Sequence, residues 1–158
     1  MDVIKLDHFD RRILELLQND ASLSAAEIGE KIGLSQSPCW RRINRLENEG
    51  IIRHRAAHLD RRKLGLDIMV FTTVKLTAHG RQSIPAFAEE IQSYPEVLEC
   101  YTIMGDMDFL LRVVTKDIYA YERFFLDTLS QLPGVHEIHS NIALSEMKAT
   151  TALPLERI

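Results

Sequence analysis

Gly33 sets the first constraint on how this chain can fold. Ahead of it, Ser24-Ala-Ala-Glu27 has the spacing of a capping box. In such a box a serine hydroxyl and a carboxylate three residues later satisfy each other's backbone N–H groups at a helix start, and Leu23 and Ile28 are placed as a hydrophobic staple across it. A helix begun there has about two turns before Gly33 stops it. The next helical pattern opens almost at once. Ser37-Pro38 offers a hydroxyl cap followed by a proline whose missing N–H costs nothing in a first turn, and Ser35 is the alternative cap. Gly50 is placed to end that helix. Two short helices joined across Gly33-Leu34-Ser35 make a helix-turn-helix unit.

Around this unit the pattern continues. Asp7 can cap an earlier helix that carries Phe9, Ile13, Leu16 and Leu17 at helical spacing and ends near Asn19–Asp20. After Gly50, residues 51–58 (IIRHRAAH) look extended and could form a small β-wing, and residues 60–65 are polar and read as a linker or short helical hinge. The rhythm then changes. Residues 66–77 are β-rich, 84–93 place Ile84, Phe87, Ala88 and Ile91 on one helical face, and 97–104 and 109–115 read as strands about a turn at 105–108. Tyr121, Phe124, Phe125 and Leu129 form a helical stripe within 119–132, and residues 136–147 alternate again. The order βαββαβ is the ferredoxin-like arrangement. The expected fold class is therefore α+β: a winged helix-turn-helix over residues 1–60, a hinge at 61–65, and a ferredoxin-like domain over 66–158.

The third helix has two unlike faces. At 100° per residue Cys39, Ile43 and Leu46 fall together as the buried side, whereas Ser37, Arg41, Asn44, Arg45 and Asn48 collect opposite, flanked by Trp40 and Arg42. Guanidinium forks, amides and hydroxyls on an outer face read guanine and adenine edges or hold phosphates. A solvated charged face is the other reading of arginines on a helix. The capped helix and glycine turn before it, and the basic stretch after it, favour double-stranded DNA. Arg41, Arg45, Asn44 and Ser37 are then the base-contacting candidates, with Gln36, Arg42, Arg53 and Arg55 as phosphate holders and Ser35 at the same helix end completing the set. Charge agrees: residues 1–63 hold 12 Lys+Arg against 10 Asp+Glu, and residues 64–158 hold 7 against 13.

Other chemistries find less support. The 158 residues, 46% hydrophobic and 27% charged, suit a soluble protein with real cores, and no apolar run is long enough for a bilayer. The first residues lack the apolar stretch of a secretory signal, and Cys39 and Cys100 show no metal-ligand spacing, so a cytoplasmic protein with reduced thiols is expected. Cys39 and Cys100 read as small hydrophobes. His136 and His139 are three apart in a strand, hence on opposite faces, and no metal site or cofactor is expected. No nucleophile with a base, carboxylate pair or phosphate loop is visible, so no enzyme is expected. Trp40 is expected to cover the edge of the helix-turn-helix core.

The turn Gly105-Asp106-Met107-Asp108 carries two readings. Asp106 or Asp108 can meet an ammonium, and amides freed by Gly105 can meet a carboxylate, which together would hold an amino acid. Equally, Gly and Asp are what a tight hairpin turn uses.

At this point the chain resembles the Lrp/AsnC ("feast/famine") transcription regulators. The residues that carry the likeness are Leu6-Asp7 with 10–18 (DRRILELLQ), 32–35 (IGLS), 37–42 (SPCWRR), 46–47 with 50–52, 95–97 (PEV), Gly105-Asp106-Met107-Asp108, and 150–154 (TTALP). The resemblance implies a winged helix-turn-helix, a ferredoxin-like effector domain, homodimers and octamers of four dimers. It also implies regulation of amino-acid metabolism or transport genes in response to an amino-acid effector. It places the 105–108 turn beside the effector cleft and brings Thr150 and Thr151 toward it. Two rivals stay open: a sequence-tolerant protein that wraps DNA, and a ferredoxin-like small-molecule sensor or enzyme.

Overall fold

Helix α1, His8–Asn19, begins at a reciprocal cap in which the Asp7 carboxylate accepts the Asp10 amide while the Asp10 carboxylate accepts the Asp7 amide. Helix α2, Ala25–Ile32, begins at the Ser24/Glu27 capping box and ends at Gly33, whose φ of 74° is the left-handed conformation that glycine adopts without a Cβ clash. Helix α3, Gln36–Asn48, starts at Ser35, so Pro38 lies within its first turn rather than at its first position. Its far end is a Schellman motif: Gly50 N–H donates to Glu47 C=O and Ile51 N–H to Leu46 C=O. The structure is a computed structural model and describes residues 4–77 and 84–157.

These three helices enclose one core made of Ile13, Leu14 and Leu17 of α1, Ile28 of α2, and Cys39, Ile43 and Leu46 of α3. One more side chain completes it, Leu155 from a short 3-10 turn at Leu155–Arg157. Gln18 secures that approach at both ends of its amide: Nε2 donates to Leu153 C=O and Oε1 accepts the Leu153 N–H. The chain accordingly divides into one unit of residues 1–58 with 148–158 and a second of Leu59–Met147. The division differs from the sequence-based boundary, which puts 148–158 in the second domain.

In the second unit, β1 is Ile68–Leu76, α4 Ile84–Gln92, β2 Val97–Thr102, β3 Phe109–Thr115, α5 Ile118–Asp127 and β4 Val135–Ile142. The sheet runs β2-β3-β1-β4 with every neighbouring pair antiparallel. Strand β3 thus lies between β1 and β2, which α4 connects, and this is the ferredoxin-like topology. Val70, Val74, Leu76, Phe109, Leu111 and Val113 alternate onto the face covered by Phe87 and Ile91 of α4 and Tyr121 and Phe124 of α5. Helix α5 is capped by the Asp117 carboxylate, which accepts the Ala120 amide. It stops earlier than the sequence pattern suggests, since Leu129–Gln131 forms a separate 3-10 turn.

Two local expectations fail. Residues 51–58, the expected wing stretch, form no strand and no β-ladder among the described residues. Trp40 is 57% exposed and does not cover the core, because its place on the helix falls between the buried stripe and the polar face. The hinge is one turn, with the Asp60 carboxylate accepting the Arg62 and Lys63 amides.

Candidate nucleic-acid interface

The buried stripe Cys39, Ile43 and Leu46 fixes which way α3 faces. Its opposite side leaves Ser37, Arg41, Arg45 and Asn48 exposed and Asn44 half-buried. Ser35 caps the helix through backbone geometry alone, without a side-chain hydrogen bond, and Ser35, Gln36 and Ser37 are all exposed at that end. The first N–H groups of the helix therefore have no side-chain cap at Ser35, and the positive end of the helix dipole lies beside them.

The three arginines of α3 are not equivalent. Arg42 Nη1 donates to Asp7 Oδ2 at 2.7 Å and to Asp10 Oδ1 at 2.8 Å, with its guanidinium 5.5 Å over the Phe9 ring. Arg45 Nη2 donates to Asp10 Oδ2 at 2.6 Å, and its Nε lies 3.9 Å from Glu49. Asp10 is 1% exposed, so α1 offers a buried carboxylate shared by two cations of α3. Arg41 is exposed and makes no ion pair among the described residues. With Asp7, Pro38, Arg42 and Arg45 it lines an open concavity of about 420 Å³. The Asp10 amide, and after it Arg42, hold the Asp7 carboxyl below its ordinary range; the Asp7 hydrogen bond, and after it Asp10, raise Arg42 further.

Beyond α3, Arg53 is exposed and unpaired among the described residues. Arg55 is engaged: Nη2 donates to Glu47 Oε1 at 3.0 Å and Nη1 to Ala21 C=O at 3.3 Å. The cysteines follow expectation. Cys39 is fully buried, Cys100 is partly so in β2, and burial pushes both thiols up.

The 105–108 turn joins β2 to β3. Gly105 has φ 145°, a conformation that side chains disfavour. Asp108 is built into the sheet: its carboxylate accepts the Leu76 amide at 2.8 Å, its N–H donates to Val74 C=O, and its C=O accepts from Ile103. Asp106 is exposed. Thr150 and Thr151 belong to the other unit, where Thr150 Oγ1 accepts the Ala152 amide. The five candidate effector residues are thus divided between the two units.

A family model described as Lrp/AsnC ligand binding domain matches residues 69–153, and one described as winged helix-turn-helix DNA-binding matches residues 6–53. This chain belongs to the Lrp/AsnC family. Among Lrp/AsnC relatives it is 37% identical to the transcriptional regulator AzlB of Bacillus subtilis, over 98% of this chain and 99% of that protein. It is 39% identical to the glutamate uptake regulatory protein of Zymomonas mobilis, over 96% and 92%. A crystal structure of a Neisseria meningitidis transcriptional regulator in complex with L-Met superposes with a TM-score of 0.91 at 37% identity, covering 97% of this chain and 99% of that one. The fold of this Lrp/AsnC protein is accordingly a winged helix-turn-helix with an α+β domain.

Sequence reasoning about the Lrp/AsnC interface missed Asp7 and Asp10 as counter-charges. A signal exists: Asp7 and Asp10 have capping-box spacing, and Arg42 and Arg45 share the same three-residue step on a neighbouring helix.

Proposed function

We propose that this Lrp/AsnC protein is a sequence-specific DNA-binding transcriptional regulator of amino-acid metabolism or transport genes, tuned by an amino-acid effector. The observation that carries the reading is the two-faced α3: an apolar stripe fastened to α1 and α2, and an opposite face of Ser37, Arg41, Asn44 and Arg45 turned outward. A helix so presented enters the major groove of double-stranded DNA. Arg41, Asn44, Ser37 and the spare edge of Arg45 contact bases, while Ser35, Gln36 and Arg53 hold phosphates, aided by the α3 N-terminus. Arg42 and Arg55 leave the phosphate-holding set, because carboxylates of this chain already occupy them.

Support for the rest comes from relatives. The glutamate uptake regulator and the L-Met complex concern amino acids, and the matched ligand-binding region contains the 105–108 turn. In this reading Gly105 amides and Asp106 meet an amino acid's carboxylate and ammonium, with Asp108 shaping the turn and Thr150 and Thr151 supplied to the cleft on assembly. The protein works in the cytoplasm as a homodimer and as an octamer of four dimers, and it is not an enzyme. Its half-sites lie about one helical turn apart.

The experiment is fluorescence anisotropy with duplexes enriched from a random pool by the full-length protein. Arg41→Ala weakens binding to them by about 10- to 100-fold, the value of one base-reading fork. Unaltered affinity in a folded variant overturns the assignment. Thermal melting against each amino acid, L-Met included, tests the effector, since a ligand of the native state raises the melting point. A flat response to all of them removes it.

A further inference from the structure

We infer that Asp10 is a positioning residue that sets DNA specificity: it masks Arg42 from phosphates and fixes one edge of Arg45, leaving base reading to Arg41 and the spare edge of Arg45. The inference rests on α3 being the DNA-reading helix.

Arg42 is held from two sides. Its Nη1 bonds both Asp7 and Asp10, and Asp10 belongs to a different helix and is buried. Both bonds come from Nη1, so two carboxylates neutralise the Arg42 charge and hold its fork against α1, where the side chain is 28% exposed against 43% for Arg45. Swinging the guanidinium out to a phosphate would leave the buried Asp10 carboxylate with one partner fewer. Asp10 cannot follow, because its Oδ2 also accepts the Asp7 amide that closes the α1 cap. Arg45 differs. Asp10 takes Nη2 alone; among the described residues no hydrogen bond engages Nη1, and Nε has only the 3.9 Å approach of Glu49. One edge of this fork is clamped and the other is free. That arrangement suits reading a base edge, where orientation matters more than charge.

The charge balance makes this a specificity device. Attraction to any DNA grows with the number of phosphates neutralised, each adding about 0.9 to the slope of log affinity against log salt. Three open arginines on one helix would strengthen binding to every sequence. Asp7 and Asp10 cancel most of that general attraction, and the spare donors of Arg45 keep their value at the correct base. Discrimination is the ratio of the two affinities, so lowering the general one raises it.

The test uses the full chain, a random-sequence duplex and a duplex enriched by the wild-type protein, each titrated across a salt series. Arg53→Gln makes the slope shallower by about 0.9, Arg42→Gln leaves it unchanged, and Asp10→Asn steepens it by about 0.9 to 1.8 as the freed forks find phosphates. Asp10→Asn also cuts the preference for the enriched duplex by about tenfold. A purely structural role for Asp10 would move the melting point but neither slope nor preference. Arg42→Gln losing as much slope as Arg53→Gln overturns the masking; so does a folded Asp10→Asn with wild-type slope and preference. Should Asp10→Asn not fold, the comparison of the two arginine variants decides alone. Wild-type binding without any salt dependence overturns the DNA reading itself, and this inference with it.

Discussion

Asp10 Oδ2 accepts a hydrogen bond from Arg45 Nη2 at 2.6 Å, joining the first turn of α1 to the last turn of α3. The carboxylate is buried while Arg45 remains 43% exposed, so the bond links an immobile acceptor to a side chain that reaches solvent. Removing the carboxylate takes away the buried acceptor shared by the Asp7 amide, Arg42 and Arg45. Asp10→Ala should destabilise the helical unit by about 3 kcal/mol, within the range for broken buried pairs. Denaturant unfolding followed by Trp40, the only tryptophan and a residue of α3, measures it. A loss below about 0.5 kcal/mol, the level of an exposed pair, would contradict the burial argument.

Gly29 packs where no side chain fits. A Cβ there would lie 2.5 Å from the backbone oxygen of Leu34, in the turn between α2 and α3. Because the obstacle is main chain, it cannot swing aside. Gly29→Ala should cost about 1–3 kcal/mol despite alanine's better helix propensity, as overpacking does. A neutral or stabilised melting curve would show that the turn yields.

Acid should loosen the helical unit. The Ser24 hydroxyl, and after it the Ser24 amide, lower the Glu27 carboxyl; Ser22 lowers Asp20 in the same way; the Asp10 amide and then Arg42 lower Asp7. Each folded carboxyl therefore titrates below its unfolded value. The stability it contributes is complete above the ordinary carboxylate range near about 4, and is lost as pH falls through that range and past the folded value. Melting followed by Trp40 fluorescence should fall from about pH 5 downward, and Glu27→Gln with Asp7→Asn should flatten that dependence. An equally steep fall in the double variant would assign the acid sensitivity elsewhere.

Leu155 should behave as a core residue of the helical unit despite lying over a hundred positions from α3. It is buried among Ile13, Leu17 and their neighbours, and Gln18 holds the backbone of Leu153 beside it. Leu155→Ala should lower the stability reported by Trp40 by about 2–3 kcal/mol, the cost of a large-to-small core change. Gln18→Ala should produce a smaller loss, about 1 kcal/mol, from the paired amide contacts. Insensitivity of Trp40 unfolding to Leu155→Ala would detach this segment from the unit.

The features legible in the residues are those that recur at short range. Capping at Ser24, the stop at Gly33 and the apolar stripe of α3 follow from neighbours within one or two turns, and strand Phe109–Thr115 falls where its alternation puts it. The Asp10–Arg42–Arg45 cluster was hidden because its members are over thirty positions apart, and a charged residue in a first turn looks the same whether solvated or paired. The outer face of α3 was readable as polar, yet which arginines remain open depends on α1. Arg55 was obscured likewise by its partner Glu47 on α3. The wing stretch opens with the β-prone pair Ile51-Ile52 but pairs with no strand among the described residues, and pattern alone cannot supply a partner.

Since Leu153 and Leu155 close the helical unit from the far side of the sequence, that unit is encoded by two separated stretches of one gene. A single crossover near His58 between two relatives would therefore mate foreign helices with a resident plug. Viable mosaics require exchange at two places, or a matched residue at 155. A leucine far in sequence from the helices it packs against thereby restricts how the helical unit can be exchanged.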